Sequence, residues 1–153
     1  MCDKFYKEGL HFDCNNCSMC CRFSGGVVLL SKEDLVSLAS WAELTPDQFI
    51  KVYCRYIKAE DGLDYLCLKN THTSKNLEDC IFWDKDIPGC KAYPARPAQC
   101  RSYPFWTKIL KSKDNWDKEK SDCPGINEGS LHTIEEIEEQ LKLYQTRTPL
   151  TRQ

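Results

Sequence analysis

The chain has 153 residues, of which 11 are cysteine, and a formal net charge of −2. This balance, with no block of Lys or Arg, gives no electrostatic footprint for nucleic acid or for an anionic membrane surface, so we expect neither partner. No apolar run approaches the ~20 residues that a membrane-spanning helix needs, and the length suits a single domain over residues 1–153.

The cysteine content is several times the ordinary usage and needs an explanation. Residues 1–10 carry Lys and Glu and no apolar core segment, so we expect no secretory signal and a soluble protein in the reducing cytoplasm. In that compartment, cysteines at short fixed spacing are more often metal ligands than disulfides.

Eight of the cysteines are predicted metal ligands. Four form a C-x2-C-x2-C-C run, whose spacing cannot place every thiol on one face of a regular element. Four more are dispersed over segments rich in Pro, Gly and aromatic residues. The predicted ligands are Cys14, Cys17, Cys20, Cys21, Cys80, Cys90, Cys100 and Cys123.

The remaining three cysteines have no ligand spacing. Cys54 lies in a predicted helix and Cys67 in a predicted strand, and both are expected to be buried core thiols. Cys2 is interpreted as an ordinary thiol.

The first half of the chain predicts a short strand followed by two helices. Val27–Leu30 suits a strand, and capping boxes start helices at Ser31 with Asp34 and at Thr45 with Gln48. The two helices should form a hairpin, and the second should bury Phe49, Val52, Tyr53 and Tyr56.

The second half predicts less regular structure. Residues 63–68 and 81–83 are predicted strands separated by a polar loop, and residues 84–106 an irregular, ligand-pinned loop. Residues 107–122 are predicted to be a surface excursion with a brief helix. A capping box of Thr133 and Glu136 starts a C-terminal helix over about 133–146, followed by a loose tail from Thr148.

The metal could be zinc or iron, since both bind thiolate strongly. The three-cysteine run and Cys123-Pro124 resemble iron–sulfur ligand patterns and favour iron. The adjacent Cys20 and Cys21 point in different directions, which favours two neighbouring sites or a bridging thiolate. Three arginines close in sequence to cysteines are expected to hydrogen-bond the thiolates or nearby carbonyls, namely Arg22, Arg96 and Arg101.

Other residues that could join a site have simpler explanations. The histidines have no partner at ligand spacing and are expected in solvent, and Asp84 and Asp86 suit a turn. Aromatic side chains are expected to pack around the metal loop. The histidines are His11, His72 and His132, and the aromatic residues are Tyr93, Tyr103, Phe105 and Trp106.

Two long motifs resemble the YkgJ-type cysteine cluster family, described as a zinc- or iron-chelating domain. They are Cys14-x2-Cys17-x2-Cys20-Cys21-Arg22 and Cys80…Gly89-Cys90-x2-Tyr93-x2-Arg96-Pro97-x2-Cys100-Arg101-x-Tyr103-Pro104-Phe105. The resemblance covers about residues 12–126, and members of that family are mostly bacterial. A related pattern in flagellin lysine N-methylases is associated with an iron–sulfur cluster, which implies a link to protein modification.

The sequence therefore predicts a small α+β, metal-stapled domain with a helical hairpin, short strands, long cysteine-bearing loops and a C-terminal helix. The first functional hypothesis is a metal-binding protein with one or two cysteine-ligated centres, for metal handling or sensing. The second is an iron–sulfur-dependent enzyme or enzyme component in redox or protein-modification chemistry, although no residue is identified as catalytic. The third is a structural metal with a surface that binds a protein partner.

Overall fold

The structure is a computed structural model that describes residues 4–14, 27–74, 77–87 and 89–152, with the backbone alone described at 72–74, 77 and 78. In these ranges the chain combines α-helices with short antiparallel strands in small sheets, which confirms the predicted α+β class. Among the described residues, no helix has the length and apolar character needed to cross a membrane.

Two capped helices follow the first described strand, β1 (Leu10–Phe12). Helices α1 (Lys32–Trp41) and α2 (Pro46–Tyr53) each begin with the predicted capping box. At the start of α1, for example, the Asp34 amide donates to Ser31 Oγ at 3.1 Å. The two helices contact each other, which confirms the predicted helical pair.

The buried face predicted for α2 is partly wrong. Phe49 is fully buried, whereas Val52 is 50% exposed. Tyr56 lies beyond the helix, in β2 (Cys54–Lys58), because this segment pairs over its whole length with β3 (Asp64–Leu68). The apolar spacing predicted that the helix continues to Tyr56, but the backbone of this residue is paired with β3, and the helix ends at Tyr53.

The predicted polar loop after β3 is also wrong. Residues Asn70–Ser74 (β4) and Leu77–Cys80 (β5) form an antiparallel pair. Two paired strands can hydrogen-bond their backbone groups to each other without an apolar face. The polar composition of this segment therefore gave no strand signal. Ile81 and Phe82 form a turn, and the next strand, β6 (Trp83–Asp84), is paired with β7 (Gly89–Cys90).

The segment predicted as an irregular loop contains a short helix. After a 3-10 turn at Tyr93–Ala95, residues Ala98–Ser102 form α3. The following segment, predicted to be a surface excursion, contains the brief helix α4 (Lys113–Lys118), but Leu110 and Trp116 are buried. Their large apolar side chains turn this segment inward.

The last elements are β8 (Ile126–His132), α5 (Ile134–Thr146) and β9 (Thr151–Arg152). Helix α5 begins with the predicted capping box, and it buries Ile137 completely. The loose tail that was predicted is wrong, because β9 pairs with β3 and so extends the sheet to the order β2-β3-β9.

The predicted strand at Val27–Leu30 is present only as an isolated antiparallel β-bridge. Leu29 pairs with Cys67, the Leu30 amide donates to the Leu66 carbonyl at 3.1 Å, and the Leu68 amide donates to the Val28 carbonyl at 3.1 Å. Residues Val28–Leu30 therefore run along β3.

The buried apolar residues form two clusters. The first core joins α1, α2 and the β2-β3 sheet, and its buried members are Leu30, Leu35, Leu38, Ala39, Phe49, Cys54, Leu66, Leu68, Phe82 and Ala92. The second core joins the N-terminal segment, α4, β8 and α5, and its buried members are Tyr6, Leu10, Phe105, Ile109, Leu110, Trp116, Cys123, Ile126 and Ile137.

Cys54 and Cys67 are buried thiols, as predicted, with 5% and 0% of their surface exposed. Burial raises the pKa of Cys54 to about 12, and the neighbouring Cys67 adds to this shift. Burial also raises the pKa of Cys67, against a smaller lowering by Arg55. Both environments disfavour the thiolate, the form that binds metal.

The buried Cys54 thiol should make stability fall at high pH. The pKa of this thiol is 9.0 in the unfolded chain and about 12 in the folded protein, so the folded state holds more protons between these values. The free energy of unfolding should therefore decrease across this window, by about 1 kcal/mol per pH unit from this group. Denaturant titrations of the wild type and of Cys54→Ala under reducing conditions measure the effect, because the variant lacks it. Parallel pH dependences for the two proteins would contradict the assignment.

Candidate metal centre

Three of the predicted ligands lie around one small cavity. Cys80, Cys90 and Cys100 line a space of about 60 Å³. Small-molecule pockets typically measure ~300–1,000 Å³, so this cavity suits an ion and its ligand atoms and is too small for a metabolite.

The three cysteines reach the cavity from different elements. Cys80 ends β5, Cys90 ends β7, and Cys100 lies in α3. The residues that follow the first two are fixed by backbone hydrogen bonds, from Ile81 to the Lys69 carbonyl at 3.0 Å and from Lys91 to the Phe82 carbonyl at 2.8 Å. All three side chains are partly buried, and the surrounding backbone limits where their sulfur atoms can lie.

Asp34 joins α3 to α1. Its carboxylate accepts from the Ser31 amide at 3.0 Å through one oxygen and from the Ala98 amide at 3.0 Å through the other. Pro97, which precedes α3, has no side chain that could cap the helix. The sequence revealed the capping box of Asp34, but nothing near Ala98 indicated this second bond. The carboxylate therefore fixes the start of the helix that carries Cys100.

Cys123 and Cys14 are not among the residues that line this cavity. Cys123 is a buried member of the second core. Cys14 is exposed and follows Asp13, whose amide donates to the Gly125 carbonyl at 3.4 Å. This contact continues the β1-β8 pairing, in which Phe12 is opposite Ile126. The segments carrying these two cysteines are therefore neighbours at the edge of the second core.

The remaining predicted site residues lie outside the described residues, namely Cys17, Cys20, Cys21 and Arg22, as does Cys2. In sequence, the cysteine run lies between Cys14, beside the second core, and Val28, which lines the cysteine cavity.

Two of the three predicted arginines lie in the described residues, and they have different positions. Arg96 lines the cysteine cavity, and its guanidinium carbon lies 3.9 Å from the centre of the Tyr93 ring. Its Nε also donates to the Tyr93 carbonyl at 3.3 Å. Arg101 lines two clefts outside the cavity, which Arg96 lines as well. Of these two arginines, Arg96 is therefore the one whose position brings positive charge to the cysteine cavity.

The histidines and aspartates mostly follow the simpler explanations. His11 is exposed, and the Asp84 carboxylate accepts from the Asp86 amide at 2.9 Å in a turn, as predicted. His132 differs, because it is half-buried and donates through Nε2 to the Phe12 carbonyl at 2.8 Å. The side chain of His72 is not among those described.

The four predicted aromatic residues have different surroundings, and Tyr103 and Trp106 contact both the cavity and the second core. Tyr103 and Trp106 line the cysteine cavity. Phe105 stacks on Trp116, with ring centroids 5.7 Å apart. Tyr93 is 49% exposed under the Arg96 guanidinium.

The described residues do not make a complete ligand group. Within residues 4–14, 27–74, 77–87 and 89–152, no three His, Cys, Asp or Glu side chains are arranged so that they could hold a metal ion. The donors at the cavity are nevertheless thiols, the ligand type that selects zinc, iron–sulfur clusters and copper(I). The residues present therefore fit a zinc or iron centre in kind, but as part of a larger ligand set.

Comparison with known proteins agrees with this chemistry. Residues 13–124 match the model of the CxxCxxCC family, whose description reads "Putative zinc- or iron-chelating domain". A curated relative, the uncharacterized protein MJ0661 of Methanocaldococcus jannaschii, is 29% identical over 108 residues, which are 71% of this chain and 52% of the relative. The chain thus spans about half the length of that relative. No solved structure matches the chain. Because the family match covers most of the sequence and includes both cysteine motifs, the chain belongs to the CxxCxxCC family of zinc- or iron-chelating domains.

Proposed function

We propose that the chain holds one or two thiolate-ligated metal centres and acts in metal handling or sensing. The proposed ligands are those predicted from the sequence, namely Cys14, Cys17, Cys20, Cys21, Cys80, Cys90, Cys100 and Cys123. The observation that carries the proposal is the shared cavity of Cys80, Cys90 and Cys100.

The cavity needs a further ligand, and the cysteine run is close enough to supply it. Val28 lies on the cavity wall, and Cys21 precedes it by seven residues. An extended chain covers up to ~3.3–3.6 Å per residue, so a segment of this length can reach back to the cavity. We therefore assign at least one thiolate of the run to the centre of Cys80, Cys90 and Cys100.

The position of Cys123 favours a second centre. It belongs to the second core, whereas Cys80 and Cys90 pack against the first. Cys14 lies on the segment that pairs beside Gly125, close in sequence to Cys123. The run that contains Cys20 and Cys21 connects the two regions, so adjacent thiolates of this pair would serve different centres.

Iron in a sulfide-bridged cluster is the metal that we propose, with zinc as the alternative. The C-x2-C-x2-C spacing and the Cys123-Pro124 pair support iron. The guanidinium of Arg96 would offset part of the thiolate charge, and outer hydrogen bonds of this kind tune either metal.

One feature supports the alternative function of an iron–sulfur enzyme or enzyme component. Two open clefts, of about 560 and 490 Å³, both reach Arg96, which also lines the cysteine cavity. These volumes fall in the ~300–1,000 Å³ range of small-molecule sites. A substrate in either cleft would lie beside the proposed centre.

Purification under anaerobic conditions should give a coloured protein that contains iron and acid-labile sulfide. An iron–sulfur cluster absorbs visible light, whereas a zinc–thiolate site does not. Absorption spectra with iron, zinc and sulfide analysis measure this directly. A colourless protein with zinc and no sulfide would rule out the iron–sulfur form, and a protein with neither metal would rule out the proposed function.

Substitution of a cavity cysteine should lower metal content where substitution of a core cysteine does not. We expect Cys90→Ala to lose the metal of its centre, about half of the total if two centres exist, because it removes a thiolate. Cys67→Ala is the matched control, and it should keep the full metal content while losing about 1 kcal/mol of unfolding free energy.

Metal analysis of the purified variants and denaturant titration separate the two effects. Full metal content in Cys90→Ala, or equal metal loss in the two variants, would show that the cavity cysteines are not ligands.

A further inference from the structure

Gln99 binds the backbone just after the cysteine run through both ends of its side-chain amide. Its Nε2 donates to the Val27 carbonyl at 2.8 Å, and its Oε1 accepts from the Leu29 amide at 3.0 Å. In a parallel ladder, a neighbouring strand bonds the carbonyl and amide groups on either side of one residue in the same way. The Gln99 amide therefore takes the place of a strand beside Val28.

The opposite edge of this segment is held by β3. The Val28 carbonyl accepts from the Leu68 amide, and the Leu30 amide donates to the Leu66 carbonyl, each at 3.1 Å. Backbone groups of an extended chain alternate between its two edges. Gln99 hydrogen-bonds the backbone groups on the edge that faces away from β3. The segment is therefore held on both edges.

Gln99 itself is held firmly in place. It lies in α3, and its carbonyl accepts from Trp106 Nε1 at 3.0 Å. Gln99 lines the cysteine cavity together with Val28 and with Cys100, the residue that follows Gln99 in the chain. One residue thus connects the segment Val27–Leu29, which follows the cysteine run in sequence, to the helix that carries a cavity cysteine.

We infer that Gln99 is a positioning residue of the metal centre, an inference that rests on the proposed function. It holds the chain at Val27–Leu29 against α3, so that this segment and the helix that carries Cys100 keep a fixed separation. A neutral amide is needed for this role, because a carboxylate cannot donate to the Val27 carbonyl and an aliphatic side chain can neither donate nor accept.

The test compares Gln99→Leu and Gln99→Glu with two controls in the full-length, metal-loaded protein. Gln145→Leu makes the same change at an exposed site, where the amide donates only to Thr107 Oγ1. Thr45→Ala removes the cap of α2 and lowers stability away from the cavity. Metal release is measured by transfer to a chromogenic chelator, and amide hydrogen exchange is measured at Leu29, with Leu30 as the internal reference.

Both Gln99 variants should release metal about 10–100-fold faster than the wild type, the range typical of residues that orient metal ligands. Exchange at Leu29 should rise in Gln99→Leu while exchange at Leu30 changes little, because the Leu30 amide is bonded to β3. Both controls should release metal at the wild-type rate.

Three results would overturn the inference while the proposed function stands. Unchanged Leu29 exchange in Gln99→Leu would show that the amide does not hold this segment. Faster exchange with unchanged release would show that holding the segment does not position a ligand. Equally fast release from Thr45→Ala would show that release follows stability alone. A wild-type protein without metal would instead overturn the proposed function, and the inference with it.

Discussion

A carboxylate that is only 4% exposed, that of Asp34, determines where two helices begin. Burying a charge costs several kcal/mol unless it is hydrogen-bonded, and here the backbone amides of Ser31 and Ala98 supply the bonds. Bonds to a charged acceptor are stronger than neutral ones, and the positive ends of two helix dipoles lie at the same place. Helix α1 and the cysteine-bearing helix α3 are thus joined at their first turns, and this junction helps to fix Cys100 on the cavity wall.

Features that depend on nearby residues could be predicted from the sequence. The capping boxes of Ser31, Thr45 and Thr133 each connect residues three apart, and α1, α2 and α5 begin where they indicate. Features without a local signal were missed. The β4-β5 pair is close in sequence, but its polar composition gives no strand pattern, and β9 is ordered by its pairing with the distant β3.

The same distinction applies to the candidate site. The sequence predicted four dispersed ligands, Cys80, Cys90, Cys100 and Cys123, and the structure places the first three around one cavity. The sequence did not show that Cys123 belongs to a different region, because membership of the second core depends on how α4, β8 and α5 pack. The supporting bonds of Asp34 and Gln99 were also hidden, since their partners are 64 and about 70 residues away and are backbone atoms of no particular residue type.

The pairing of β1 with β8 has a consequence for the order of assembly. Leu10 lies opposite His132, so the strand just before the cysteine run is complete only after most of the chain has been synthesised. The cysteine run leaves the ribosome early, but the elements on either side of it are fixed late, by β8 on one side and by α3 on the other. The two segments that flank the run therefore acquire these backbone partners only after α3 and β8 have been synthesised, and the N-terminal part of the chain alone lacks both partners.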